Sequence, residues 1–318
     1  MSGSLILAIP SKGRLKEQVE AWLADAGLPL SAPAGGRGYT ARIAALPAVE
    51  VRLLSASDIA SALEAGEVHL GVTGEDLLRE QIGDLDSRVQ LLRALGFGRA
   101  DLVVAVPRGW LDVDSMADLE EVAHMHLTRT GRRLRVATKY VVQTRAFFAR
   151  AGVADYRIVE SGGATEGAPA SGAAEIIVDI TTTGATLAAN HLKILADGVI
   201  LKSQAQLAAS LSAPWDAGRL AVVRQLLGVV EARARAKGSV MLVWPAEQDA
   251  GARAALADIV ASGARPRANG LLLREADLLA AQRLLSGAGV GPVAATRPEH
   301  LFEPVSEAAE SLATRLGG

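Results

Sequence analysis

Cysteine is absent from the 318 residues, which excludes disulfide staples, thiolate metal sites and thiol nucleophiles together. Five scattered histidines argue against a histidine-rich zinc site. Half of the residues are apolar, yet only four tryptophans, three tyrosines and four phenylalanines are present. Alanine, valine, leucine and isoleucine must therefore fill the core. No apolar run reaches the roughly 18 to 20 residues that a membrane span needs, so no membrane partner is expected. Neither sign of charge is in excess: 33 basic against 35 acidic side chains give a net charge of −2. A nucleic-acid-binding surface would be strongly basic. The opening Met1–Pro10 lacks a basic stretch before its short apolar run, so the expectation is a soluble cytoplasmic protein. The length predicts about two domains.

What is present alternates in period. Leu5–Ile9 reads as a buried strand, and Leu15, Val19, Trp22, Leu23 and Ala26 follow at helical spacing until Gly27. After the turn-rich Gly35–Gly38, a strand pair is expected around Ala41–Leu46 and Val49–Leu54. Ser55–Asp58 has capping-box spacing before a helix that ends at Gly66, and Val68–Val72 is a further strand. A second unit opens at Asp101–Pro107 and continues through strands Arg135–Thr138 and Glu175–Asp179. Leu187, His191, Ile194 and Leu195 suggest a helix running to near Gly198, and Val199–Leu207 an extended segment. Strands alternating with helices mean an α/β architecture with a largely parallel sheet. After Ser212–Asp216, a helix over Leu220–Ala236 leads to βαββαβ in residues 239–318, the ferredoxin-like pattern.

Three strand-to-helix turns carry candidate chemistry. In the first, Asp179 ends a strand, Thr181, Thr182, Thr183 and Gly184 form a loop, and Ala185 and Thr186 open a helix. Unpaired N–H groups and a partial positive charge suit such a turn to a phosphate. Asp179 stands where it would accept hydrogen bonds from neighbouring sugar hydroxyls. The alternative is an ordinary βα loop with a threonine cap. In the second turn, Lys12 and Arg14 flank Gly13 at a strand's carboxyl end, where open α/β sheets place ligands; a solvated helix start is the alternative. The third, Gly71-Val72-Thr73-Gly74-Glu75-Asp76, is the least specific, since acidic residues favour helix N-termini in any case.

Together these three segments resemble the ATP phosphoribosyltransferase family in order and approximate spacing. Leu95–Gly98, Arg135–Tyr140, Glu160–Pro169, Leu187–Asn190 and Leu201–Ala205 match as well. The resemblance covers about residues 4–212, and residues 239–318 are similar in pattern to the regulatory domain of the family's long form. Departures exist. Many members carry arginine near Ser55, proline where Ala60 stands, an acid at the His69 position and glycine at the His191 position. An apolar row around His191 favours a core or groove histidine over a catalytic one.

The resemblance implies a two-lobed, periplasmic-binding-protein-like (type II) core plus the ferredoxin-like domain. Lobe I would be residues 1–97 and 196–212, lobe II 98–195, with a linker helix over 213–238. The implied reaction joins N1 of ATP's adenine to C1 of 5-phosphoribosyl 1-pyrophosphate and releases pyrophosphate, the first step of histidine biosynthesis. It needs positioning and charge stabilisation rather than a protein nucleophile. Lys12, Arg14 and Asp179 are the catalytic candidates. Glu166, Asp179, Thr181, Thr182, Thr183, Gly184, Ala185 and Thr186 would hold the phosphoribosyl donor. Gly71, Thr73, Gly74, Asp76 and Lys139 would face the nucleotide. Mg²⁺ is expected, bound mainly through substrate. Histidine as inhibitor and a homo-oligomer, dimer or hexamer, are further expectations. Two readings stay open beside this one: a non-catalytic binding protein with the same cleft, and a phosphoribosyltransferase acting on a free base.

Overall fold

The computed structural model describes residues 3–31 and 38–317; most of the glycine-rich stretch expected at 35–38 lies outside them. The chain begins β1 (Leu5–Pro10), α1 (Gly13–Asp25), β2 (Leu30–Ser31), β3 (Thr40–Ile43), β4 (Val49–Leu54) and α2 (Ala56–Ala65). It continues with β5 (Leu70–Gly74), α3 (Glu75–Gln81), α4 (Leu85–Arg88) and β6 (Val89–Ala94). Next come β7 (Ala100–Pro107), α5 (Met116–Thr130), β8 (Leu134–Thr138), α6 (Val141–Arg150), β9 (Tyr156–Glu160), β10 (Ile176–Thr181), α7 (Ala185–Ala189) and β11 (Leu192–Ser203). Then β12 (Ala205–Ser210) and α8 (Ala217–Ala236) follow.

These strands form two sheets on one plan. The first has the order β2-β3-β4-β1-β5-β12-β6, the second β11-β7-β10-β8-β9. In the first, β4, β1 and β5 are parallel, then β12 runs antiparallel to both β5 and β6. In the second, β9, β8 and β10 are parallel, then β7 runs antiparallel to β10 and β11 to β7. Each lobe is thus three parallel strands followed by two antiparallel steps, with β3 and β2 added antiparallel beyond β4 in the first. The α/β, two-lobed, periplasmic-binding-protein-like expectation holds, but the sheets are mixed rather than largely parallel.

Both faces of each sheet are covered, which is why the central strands read as unbroken apolar runs. Alternate residues of β1 go to opposite sides. Leu5, Leu7 and Ile9 pack with Val19 and Leu23 of α1 and Val223, Leu226 and Leu227 of α8. Ala8 packs with Ile59 and Leu63 of α2 and Leu78 of α3. In the second sheet Leu102, Val104 and Val106 of β7 face Leu119 of α5 and Phe148 of α6, whereas Val103 and Ala105 face Leu187 of α7. Each fully buried leucine or valine contributes roughly 1.5 to 3 kcal/mol.

Several expectations are corrected. The helix after Gly184 stops at Ala189; His191 has φ +55°, and from Leu192 the chain pairs antiparallel with β7. The spacing of Leu187, His191, Ile194 and Leu195 mimicked a helix, but sheet pairing prevails. His191 is exposed at a left-handed position, which disfavours most side chains, so it is not a core histidine. Ser55 does cap α2, accepting from the Asp58 N–H at 3.1 Å, without the reciprocal arm of a capping box. By strand pairing, residues 196–203 belong to the second sheet, and the crossing falls between Ser203 and Ala205. The helix expected as a linker is core: Val223, Leu226, Leu227 and Val230 of α8 are buried in the first lobe.

The C-terminal strands β13 (Ser239–Val243), β14 (Arg265–Arg267), β15 (Gly270–Arg274) and β16 (Ala294–Thr296) form an antiparallel sheet in the order β14-β15-β13-β16. Helices α9 (Asp249–Ala255), α10 (Ala257–Ala261) and α11 (Leu278–Gly287) complete βαββαβ. The core of this unit draws on residues between Val240 and Val290. Residues 239–318 are not all accessory, however. The last helix, α12 (Glu307–Arg315), returns to the first lobe: Ala309 and Leu312 join its core, and Gln90 of β6 donates to Ser311 at 3.0 Å.

Candidate active site

Strand β10 carries Asp179 to its carboxyl end, and Thr181 to Gly184 turn the chain into α7. Gly184 sits at φ +74°, a conformation that glycine alone adopts without strain. The loop is tied internally. Thr181 Oγ1 accepts from the Gly184 N–H at 2.9 Å and Thr183 Oγ1 from the Ala185 N–H at 3.4 Å. Thr182 donates to the Arg99 carbonyl at 3.2 Å, binding the loop to the strand crossing. Glu166, Asp179, Thr181, Thr182, Thr183 and Thr186 line one cavity of about 310 Å³. Asp179 is partly buried, and burial raises its carboxyl above the ordinary aspartate value. The Ile180 N–H, donating at 2.8 Å, and the nearby Lys139 ammonium oppose that rise, while Glu166 adds to it.

Lys12 and Arg14 are exposed where β1 passes into α1; Lys12 occupies the cap position and caps nothing with its side chain. They do not line the cavity around Asp179. The two carboxyl edges nonetheless face each other. Leu77 of α3, just beyond β5, packs on the core of the second lobe, and Asp76 and Glu80 reach residues that follow β8.

The Gly71–Asp76 turn, expected to face the nucleotide, has several of its groups bonded within the protein. Gly71 is inside β5, where a Cβ would lie 2.7 Å from Ile59 Cγ2 and 2.9 Å from Leu63 Cδ1. Its glycine serves helix-on-strand packing. Thr73 is fully buried and donates to the Ala56 carbonyl at 2.8 Å. Gly74 precedes α3, with the Asp76 carboxylate against the place its Cβ would take. Asp76 is buried and accepts from Ser203 Oγ at 2.7 Å and from Tyr140 Oη at 2.8 Å. These groups bond within the protein, and Asp76 spans the lobes. Lys139 is exposed and stands 5.1 Å from the Tyr140 ring centroid, on the same side of the cleft as Asp179.

Sequence reasoning missed Thr165, Glu80 and Gln143. Thr165 is buried beneath the donor cavity's acids and donates to Ser161 Oγ at 3.0 Å. Glu80 accepts from the Val142 and Gln143 N–H groups at 2.8 and 3.1 Å, capping α6 from the other lobe. No local pattern distinguishes Glu80 from a solvated helix acid.

A family model described as HisG, ATP phosphoribosyltransferase, matches residues 55–231. The ATP phosphoribosyltransferase of Caulobacter vibrioides (strain NA1000 / CB15N) is 66% identical over 316 residues, 99% of each chain. The chain belongs to the ATP phosphoribosyltransferase family. The Nitrobacter winogradskyi member is 61% identical over 236 residues, covering 74% of this chain and 73% of its own. Among solved structures, an ATP phosphoribosyl transferase (HisG:HisZ) complex from Thermotoga maritima matches with TM-score 0.54 and 25% identity, over 71% of this chain and 98% of that one. The protein is thus a glycosyltransferase of histidine biosynthesis that condenses ATP with 5-phosphoribosyl 1-pyrophosphate. A non-catalytic binding protein and a free-base transferase are both set aside. No helix among the described residues is long and apolar enough to cross a membrane.

Proposed function

We propose that the β10–α7 loop holds the phosphoribosyl donor and that transfer to N1 of adenine occurs between the two facing carboxyl edges. The observation that carries this is the convergence of Asp179, Glu166 and four threonines on one 310 Å³ cavity. Gly184 and Ala185 N–H groups, now satisfied by the loop's own threonines, would turn to the 5′-phosphate. That phosphate keeps its charge during transfer, so the loop is an anchor. Asp179 and Glu166 would accept from ribose hydroxyls and face the positive charge that develops at C1. A desolvated Asp179 is suited to this, because electrostatic stabilisation strengthens where water is excluded.

The leaving pyrophosphate needs cations. Lys12 and Arg14 supply them from the first lobe. We take Lys139, expected on the nucleotide side, to border the donor: β10 pairs in parallel with β8, Ile177 opposite Ala137, which carries Lys139 to the same edge as Asp179, on whose carboxyl its charge acts. Among the described residues no group of three or more histidine, aspartate or glutamate side chains is assembled for a metal. Asp179 and Glu166 offer hard oxygens of the kind Mg²⁺ accepts beside substrate oxygens and water. When bound, Mg²⁺ would supply Lewis-acid charge to the pyrophosphate oxygens.

The test is pyrophosphate release from ATP and the donor, with and without Mg²⁺. Replacing Asp179 and Thr183 together by alanine is expected to abolish it, and full turnover in that variant would overturn the reading. Histidine inhibition would act through the β13–β16 unit. Removing everything after Pro214 would not test it, because α8 and α12 belong to the first lobe's core. Titrating histidine into the whole protein does, and unchanged activity at saturating histidine would refute it. The Thermotoga protein is a complex with HisZ; this chain carries its C-terminal sheet in the same polypeptide. A cytoplasmic homo-oligomer, dimer or hexamer, completes the proposal, and light-scattering mass checks the assembly.

A further inference from the structure

Tyr140 joins the two lobes. Its ring lies in the second lobe's core beside Val136 and Phe148, and the residue is 1% exposed. Its hydroxyl leaves that core to donate to Asp76 Oδ2 at 2.8 Å. Asp76 is itself held: Oδ1 accepts from Ser203 Oγ at 2.7 Å, and Ser203 Oγ accepts from the Asp76 N–H at 3.0 Å. Gln143 donates to the Asp76 carbonyl at 2.9 Å, and Glu80 caps the first turn of α6. A carboxylate at a helix N-terminus is favoured by both the free N–H groups and the dipole. Burial and the Asp76 carboxylate raise the Tyr140 hydroxyl far above its usual value, so it stays a neutral donor.

Lys139 is the residue immediately before this knot. Its backbone is held between Thr138, whose buried Oγ1 accepts from the Tyr140 N–H at 2.9 Å, and Tyr140 itself, while its ammonium lies near the Tyr140 ring. We propose that Tyr140 is a positioning residue for phosphoribosyl transfer: anchored on Asp76 of the opposite lobe, it fixes the Lys139 ammonium beside the donor site. The inference rests on the reading that Lys139 and Asp179 border the donor. Its physical logic is preorganisation: a cation held in place costs no ordering when the polyphosphate arrives. Because the anchor belongs to the other lobe, the position of Lys139 also depends on how the lobes stand together.

The test is a double-mutant cycle with Tyr140→Phe and Lys139→Met, read as separate KM values for donor and ATP, with kcat and Tm. Lys139→Met is expected to raise the donor KM about tenfold. Tyr140→Phe, which keeps the ring, is expected to raise it three- to tenfold and to leave the ATP KM within twofold. In the Lys139→Met background it should add nothing. Asp76→Ala, which leaves Tyr140 intact but removes the acceptor of its hydroxyl, should reproduce the Tyr140→Phe effect and guards against a folding defect in that variant. If Lys139→Met leaves the donor KM unchanged, the reading of Lys139 falls and the inference with it. If Lys139→Met acts but Tyr140→Phe is silent, lowers only Tm, or acts additively, the inference is overturned while the donor site stands.

Discussion

The turn after β10 and the turn after β5 look alike as sequence: a buried strand, small polar residues, a glycine, a carboxylate nearby, then a helix. They end in opposite environments. The first surrounds a cavity, with Thr182 and Thr183 exposed; in the second, Thr73 and Asp76 are buried and bonded within the protein. The difference lies in where the carboxylate stands. Asp179 lies near the carboxyl end of β10, before the loop, so its own helix does not use it. Asp76 lies in the first turn of α3, where helix termini already call for an acid, and the lobe junction engages it. The acid before the glycine turn is left facing a cavity, whereas the acid after one is taken up by its helix and the lobe junction.

After the loss expected for Asp179 and Thr183 of the turn after β10, the largest effect should come from the exposed turn after β1, which neither of these two strands carries. Replacing Lys12 and Arg14 together by alanine is expected to lower kcat/KM at least 100-fold, about 2.7 kcal/mol of transition-state stabilisation. Tm should scarcely move, because exposed substitutions usually change stability by less than about 0.5 kcal/mol. A variant with normal kinetics would return these residues to a solvated helix start. The two glycines come next. Gly71→Ala forces a methyl against Ile59 and Leu63 and should cost about 1 to 3 kcal/mol by overpacking, with donor and ATP KM unchanged. Gly184→Ala strains a φ of +74° by roughly 1 kcal/mol and should raise the donor KM. Exchanged outcomes would break the comparison. Smaller again is Thr73→Val, which deletes the hydrogen bond to Ala56 at about 1 kcal/mol. An accompanying rise in ATP KM would restore the nucleotide-facing turn.

The fold was legible because period-two and period-3.6 patterns survive wherever one element meets one core. The α/β lobes and the C-terminal βαββαβ were both readable this way. The pattern failed where partners are distant. Leu187 to Leu195 had helical spacing, but antiparallel pairing with β7 fixed residues from 192 as strand. Nothing local marked α12 as part of a lobe that begins about 300 residues earlier. In the site, the residues around Asp179 were visible because one short segment carries them. Tyr140, Ser203 and Glu80 act through partners more than 60 residues away, which single-chain spacing does not encode.

The smallest effect concerns His69, at the entry to β5. Its ring is 2% exposed; Nδ1 accepts from the Ile6 N–H at 3.2 Å, leaving Nε2 to donate to the Pro214 carbonyl at 3.3 Å, and Trp215 meets it edge-on at 5.1 Å. This arrangement uses the neutral ring, and burial lowers its pKa below 6.5. Between the folded value and 6.5 the unfolded chain therefore binds more protons than the native one, so stability rises with pH there. The contribution is complete above about pH 6.5 and is lost as pH falls through that window. Glutamine keeps one acceptor and one donor at the site but does not titrate. The Tm of the parent should thus fall more steeply from pH 7.5 to 5.5 than that of His69→Gln. Parallel curves would mean that the ring charges without cost, and that the strand carrying Thr73 is more open to water at its entry than its burial indicates.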